Sequence, residues 1–136
     1  MKKTALILIF ALMLTLCACG KNPAPIAVTA TDTIVAIAVP QGESGSLLSY
    51  MEKLQKEGQL SFTMSGTLLT EMNGTKNTAD FSSCWMLYTD DGEFSDASYG
   101  TATFEGKTYA SALLGAEALQ LKEGCTYLWV YQSFNS

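Results

Sequence analysis

The chain has 136 residues, with 13 acidic residues, eight Lys, no Arg and no His, and a formal net charge of −5. A length of this order is typical of one domain. Because nucleic-acid affinity depends on basic side chains at phosphates, this acidic chain is not expected to bind nucleic acid. The lack of His removes the commonest catalytic base and metal ligand. We therefore expect a protein that is not an enzyme and has no metal site.

The first residues have the organisation of an export signal. Two Lys precede an apolar run from Thr4 to Leu16, which is shorter than the ~20 residues of a transmembrane helix. The next residues, Leu16-Cys17-Ala18-Cys19-Gly20, resemble the lipobox of bacterial lipoproteins, in which an aliphatic residue and two small residues precede a lipidated Cys. We predict a signal peptide over residues 1–18 and lipidation of Cys19. The alternative is a plain secretory signal in which Cys19 is an ordinary cysteine.

Cleavage before Cys19 would leave 118 residues and remove two Lys, so the net charge would change from −5 to −7. The expected location is extracytoplasmic, with membrane lipid holding the protein on the bacterial cell membrane through Cys19. Residues 19–31 are predicted to be a tether, because Pro23 and Pro25 favour extended chain and the neighbouring side chains are small. Its C-terminal part can also pair with the sheet of the following domain, residues 32–136.

The domain is predicted to begin with a strand and an amphipathic helix. Thr33–Val39 is β-branched and apolar, which is typical of a strand covered on both faces. Residues 46–57 have the helical period, with Ser44 or Ser46 as the N-cap and Gly58 just after the last turn. The apolar residues of one helix face are Leu47, Leu48, Met51 and Leu54.

Short strands are predicted for the rest of the chain. Residues 60–65 and 67–72 lead to a turn at Asn73-Gly74, and the polar stretch from Thr75 to Ser83 indicates a loop. Cys84–Thr89 is predicted to be a central strand that ends in a solvated turn at Asp90-Asp91-Gly92.

The last third of the chain is predicted to be a hairpin and a closing strand. The hairpin has strands at residues 101–104 and 108–111, joined by Glu105-Gly106-Lys107. The pattern from Leu113 to Leu121 fits either a helical turn or extended chain. Thr126–Gln132 is predicted to be the closing strand.

The order of these motifs resembles the DUF4430 family, whose domains are similar to the C-terminal domain of transcobalamin and intrinsic factor. The resemblance covers about residues 32–132 and implies an α+β fold, a β-grasp-like mixed sheet packed against one amphipathic helix. Residues 93–119 exceed the family pattern, as though an extra hairpin were inserted, and the family's Val-Asn-Gly is replaced at residues 89–92. The matching motifs are Asn73-Gly74, Trp85-Met86-Leu87-Tyr88, Asp90-Asp91-Gly92, Leu121-Lys122-Glu123-Gly124 and Trp129-Val130-Tyr131.

The family resemblance implies corrinoid binding, because the related transcobalamin domain covers one side of cobalamin. No cofactor is expected, and cobalamin would be a bound ligand. Strand alternation sets the aromatic residues of the closing strand opposite Leu128 and Val130. We expect Leu128 and Val130 to face the helix and the aromatic row to lie on the outer face, unless the insertion covers it. The predicted ligand-binding residues are Trp85, Tyr88, Tyr127, Trp129 and Tyr131.

Cys84 and Cys125 are the two cysteines of the predicted domain. Each begins a predicted strand, and in the resembling fold those strands are neighbours. An exported compartment permits a disulfide, and we predict one between them. Two buried free thiols are the alternative.

Three functions remain open from the sequence. The first is a surface lipoprotein that binds a ligand, with a corrinoid as the ligand implied by the family. The second is an adhesion or assembly module that binds a protein partner, and the third is a purely structural domain.

Overall fold

The computed structural model describes residues 27–134. The predicted signal peptide, the lipidation site Cys19 and most of the predicted tether lie outside the described residues. Between residues 27 and 134, no helix is both long enough and apolar enough to span a bilayer.

The described chain forms two antiparallel sheets and one helix. A six-stranded sheet has the order β1-β2-β9-β6-β8-β7, and a three-stranded sheet has the order β3-β4-β5. The elements are β1 Val28–Ala30, β2 Ile34–Ala38, α1 Leu47–Lys56, β3 Phe62–Ser65, β4 Leu68–Met72, β5 Thr75–Lys76, β6 Ser83–Thr89, β7 Ser95–Phe104, β8 Lys107–Ala112 and β9 Thr126–Ser133.

The prediction of an α+β fold with one amphipathic helix agrees with the described residues, but the prediction of a mixed sheet is wrong. Every strand pair in residues 27–134 is antiparallel. A parallel neighbour requires a crossover that returns the chain to the same sheet. Here the strand after α1, β3, joins the small sheet instead. The C-terminal part of the predicted tether also pairs with the sheet, as β1 against β2.

Helix α1 begins and ends where its capping residues predict. Ser46 is the N-cap, and its hydroxyl accepts a hydrogen bond from the Ser49 amide at 3.2 Å. Gly58 follows the C-cap with a φ of +76°, a conformation that glycine adopts without strain. Leu48 is half-buried. The buried helix residues are Leu47, Met51, Leu54 and, outside the predicted set, Tyr50.

The ambiguous segment before the closing strand contains both a tight turn and extended chain. The Leu119 amide donates to the Gly115 carbonyl at 2.9 Å, and Gln120 then forms a β-bridge with Ser46. The Leu47 amide donates to the Leu119 carbonyl at 2.8 Å. This segment therefore satisfies a backbone donor of the first helical turn that has no partner within the helix.

Asn73-Gly74 and Glu105-Gly106 form two-residue hairpin loops, and Lys107, predicted as a loop residue, is the first residue of β8. Asn73 and Gly74 have φ values of 49° and 86° and connect β4 to β5, which lies within the stretch predicted as a loop. Glu105 and Gly106 have φ values of 51° and 77° and connect β7 to β8. Positive φ at both loop positions is the requirement of the type I′ turn that matches strand twist.

Each face of the six-stranded sheet has its own apolar cluster. The larger cluster lies between the sheet, α1 and the three-stranded sheet, and it includes Val35, Ile37, Met51 and Leu54. The smaller cluster lies on the other face, where buried Tyr109 of the β7–β8 hairpin joins residues of β2, β6 and β9. The β7–β8 hairpin therefore covers this second face of the sheet.

Candidate functional site

The aromatic row of β9 lies in the larger core and not on an outer face. Tyr127 is fully buried and Trp129 is 6% exposed, and both belong to the cluster that contains the helix residues. Leu128 is fully buried in the smaller cluster, with half-buried Val130 packed there. The prediction that Leu128 and Val130 face the helix is therefore wrong. Alternation shows which residues share a face, but when both faces are apolar it does not show which face meets the helix.

Trp85 and Tyr131 connect the two sheets. They are opposite each other on β6 and β9, with ring centroids 5.3 Å apart. The Trp85 indole donates to the Thr75 carbonyl at 2.8 Å, and the Tyr131 hydroxyl donates to the Lys76 carbonyl at 2.8 Å. Since both acceptors belong to β5, the two rings hold the small sheet against the large one.

The remaining predicted ligand-binding residues also have partners within the fold or lie in its core. The Tyr127 hydroxyl donates to the Gln120 carbonyl and accepts from the Lys122 amide at 3.0 Å, and burial raises the Tyr127 pKa. The Tyr88 hydroxyl donates to the Gln132 side chain on the opposite face. The Trp129 indole nitrogen is buried without a hydrogen-bond partner among the described residues. The five predicted residues therefore do not form one accessible surface.

The predicted disulfide is not present, and both Cys84 and Cys125 are free thiols. Their strands are neighbours, as the resemblance implied, but they are antiparallel. Cys84 pairs with Gln132, while Cys125 precedes Thr126 at the other end of β9. The seven intervening steps correspond to roughly 23 Å at about 3.3 Å per residue, far beyond disulfide reach.

The acidic turn after β6 is part of the folded framework. Asp91 is 1% exposed, and its carboxylate accepts from the Glu93 amide at 3.1 Å with the Lys122 ammonium 3.9 Å away. Asp90 accepts from the Thr126 amide at 2.7 Å and from the Lys107 ammonium. The prediction of a solvated acidic pair is therefore wrong for Asp91.

The charge pair at Asp90 affects its pKa. Burial alone would raise the pKa of Asp90, but the hydrogen bonds from Lys107 and Thr126 outweigh that penalty and hold the pKa below its ordinary value.

No group of three or more His, Cys, Asp or Glu side chains in residues 27–134 is arranged to hold a metal ion.

Two phenylalanines remain exposed at one end of the β6–β9 pair, which we call the distal end. Phe81 is 50% exposed just before β6, and Phe134 is 55% exposed just after β9. The Phe134 amide donates to the Ser82 carbonyl at 2.7 Å, which places the two residues at the same end of the strand pair. Neither residue belongs to a periodic pattern in the sequence, although both stand in polar surroundings next to strand ends.

Phe81 also has a backbone conformation that is unusual for a bulky residue. Its φ is +58°, in the left-handed region that non-glycine residues rarely occupy. The surrounding loop is tied by hydrogen bonds: the Phe81 amide donates to the Thr78 carbonyl at 3.0 Å, and the Ser82 amide donates to Asp80 at 3.0 Å. The fold therefore holds an apolar ring in water on a strained backbone, a combination that clusters at functional sites.

A groove of about 420 Å³ runs along the outer side of the small sheet beside this loop. We call it the Phe81 groove. Asn77 fixes its loop wall, because its side chain donates to the Leu69 carbonyl at 2.8 Å and accepts from the Trp85 amide at 2.9 Å. The lining side chains that carry its chemistry are Thr63, Thr70, Glu71, Lys76 and Phe81.

The volume of the Phe81 groove lies within the range of small-ligand sites, roughly 300–1,000 Å³.

Comparisons of the chain with known proteins identify no matching family model, curated protein or solved structure.

Proposed function

We propose that this chain is an extracytoplasmic lipoprotein, anchored through Cys19, whose domain is a non-catalytic recognition module for a protein partner. The anchor rests on the Leu16-Cys17-Ala18-Cys19 motif and the short apolar run before it. The recognition role rests on one observation, the exposure of Phe81 and Phe134 together at the distal end. Exposed aromatic residues grouped on a surface are typical of protein contacts.

The position of the distal end supports this proposal. The chain enters the domain at Ala27, whose carbonyl accepts from the Ala38 amide at 2.8 Å, and Ala38 pairs with Thr126. The two exposed phenylalanines flank the other end of β9, near Ser133. Those ends are roughly 23 Å apart at about 3.3 Å per residue. An anchor that enters at Ala27 would thus leave the phenylalanines at the opposite end of the sheet.

Corrinoid binding is the function that the DUF4430 resemblance implied, but its expected ligand surface is covered in this fold. The β-grasp assignment likewise remains part of the proposal. The helix packed on a sheet favours it, whereas the antiparallel β2–β9 pair and the separate β3–β4–β5 sheet depart from it.

The proposal can be tested in cells with a photoreactive phenylalanine analogue. At position 81 the analogue keeps a phenyl ring and should cross-link the full chain to a partner protein. Position 99 is the matched control, because Tyr99 is 74% exposed on β7 but lies outside the distal end. Equal adducts at both positions, or none at position 81, would contradict the recognition role.

Mass spectrometry of the same protein should show acylated Cys19, and an unmodified N-terminus at another residue would contradict the anchor.

A further inference from the structure

A second groove lies between α1 and the start of the described chain, and we call it the α1 groove. Its volume is about 270 Å³, slightly below the roughly 300–1,000 Å³ of small-ligand sites. Leu54 and Tyr50 of α1, both buried, form part of its wall, and Ala27 and Gln59 line it as well. A groove of this size and lining suits one or two apolar side chains.

The first described residue is held at this groove. The Ala27 amide donates to the Gln59 side chain at 3.2 Å, and the Ala27 carbonyl accepts from the Ala38 amide at 2.8 Å. The peptide bond joins the Ala27 nitrogen to the Ile26 carbonyl carbon at about 1.33 Å, and it sets their Cα atoms about 3.8 Å apart. Ile26 itself lies outside the described residues, but covalent geometry requires its carbonyl carbon to be beside Gln59.

The alternation of β1 indicates which face of the sheet Ile26 would share. Val28 packs against the larger core cluster, which also contains Tyr50 and Leu54. If the extended chain of β1 continues back by two residues, Ile26 falls on the same face as Val28. Pro25 is compatible with this path, because β1 is an edge strand and such a strand tolerates a residue without an amide hydrogen.

We propose that the segment ending at Ile26 occupies the α1 groove. The Ile26 side chain packs on Tyr50 and Leu54, and burial of its apolar surface stabilises the docked segment. Pro25 lowers the entropy that is lost when the segment becomes ordered. The docked segment fixes the direction in which the chain leaves this end of the domain. Because the α1 groove is remote from the distal end, this inference stands apart from the recognition role, and either can fail without the other.

Nuclear magnetic resonance of the full chain in detergent, with labelled isoleucine methyl groups, tests the contact directly. The Ile26 methyl signal, assigned by its loss in Ile26→Val, should show a nuclear Overhauser effect to the ring protons of Tyr50. Ile34 is the matched control and should show none, because it packs in the smaller cluster on the other face of the sheet. Absence of the effect between Ile26 and Tyr50 would overturn the proposal.

Thermal stability provides an independent measurement. Ile26→Ala should lower the melting temperature of the full chain by roughly 4–8 °C, because it removes apolar atoms from the groove. Thr29→Ala is the matched control on β1, where the side chain is exposed, and it should change the melting temperature clearly less. If the two variants melt at the same temperature, Ile26 is not docked in the α1 groove and the proposal is wrong.

Discussion

At the scale of single residues, the two tryptophans have nearly the same burial but different polar environments. Trp85 is 4% exposed and its indole donates to the Thr75 carbonyl, while the Trp129 indole nitrogen is buried without a partner. A buried donor without a partner costs about 1–3 kcal/mol. Trp129 therefore contributes apolar packing at the expense of one unsatisfied donor.

This difference predicts unequal effects of the same substitution. Trp85→Phe and Trp129→Phe each remove similar apolar area, but only Trp85→Phe breaks a hydrogen bond. Trp85→Phe should lower the free energy of unfolding by about 1–3 kcal/mol more than Trp129→Phe. Urea denaturation of both variants measures the difference. Equal losses, or a larger loss for Trp129→Phe, would show that the two indoles do not differ in this way.

The lowered pKa of Asp90 predicts a pH dependence of stability. A carboxyl whose folded pKa lies below its unfolded value, about 3.9, stabilises the fold above that pH. The contribution is lost as the pH falls through the folded pKa, when the bonds to Lys107 and Thr126 lose their charged acceptor.

Asp90→Asn is the variant that isolates this contribution. It should be less stable than the wild type at neutral pH, and the difference between the two proteins should shrink as the pH falls below about 4. Thermal denaturation from neutral pH into the acid range measures it. A difference that stays constant across that range would exclude the proposed ionic contribution.

At the scale of elements, the sequence predicted the helix and hairpin turns well because local signals define them. The Ser46 cap, the spacing of Leu47, Met51 and Leu54, and the turn residues at Asn73-Gly74 act over a few residues. Long-range strand pairing was predicted less well. The alternating pattern of the strand after α1 does not show which sheet that strand joins. The disulfide prediction failed for the same reason. The resemblance implied that the strands of Cys84 and Cys125 are neighbours, but the sequence did not show that they run antiparallel.

Helix α1 provides the prediction at this scale. Leu54 is 1% exposed in the larger core, so Leu54→Ala should lower the free energy of unfolding by about 2–5 kcal/mol. Leu48→Ala removes the same atoms from a half-buried position on the same helix and should cost clearly less. Chemical denaturation compares the two variants. Equal costs would mean that α1 is not packed on the sheet through Leu54.

At the scale of the whole molecule, different elements cover the two faces of the large sheet: α1 and the small sheet cover the aromatic row of β9, and the β7–β8 hairpin covers the other face. Without this hairpin, the second face of the large sheet would leave Leu128 and Tyr88 open to water. With Tyr109 over that face, both faces of β9 are buried. The sequence predicted a hairpin in this region, but its position over the sheet depends on contacts distant in sequence.

The candidate recognition surface depends on the same three-dimensional context. An isolated Phe81 in a polar loop gives no pattern in the sequence, and its significance comes from its positive φ and its place beside the groove. In this fold the aromatic row of β9 belongs to the core, and we propose the distal end, with Phe81 and Phe134, as the recognition surface.

Titration of the full chain in detergent with cobalamin measures whether the aromatic row of β9 can act as a ligand site. Tryptophan fluorescence, corrected for absorption by the ligand, reports on Trp85 and Trp129, and equilibrium dialysis measures binding independently. Because both indoles are at least 94% buried, we predict no saturable quenching and no saturable binding up to roughly millimolar ligand. Saturable binding by both methods, weakened by Trp129→Phe but not by Phe81→Gly, would show instead that the aromatic row is the ligand site.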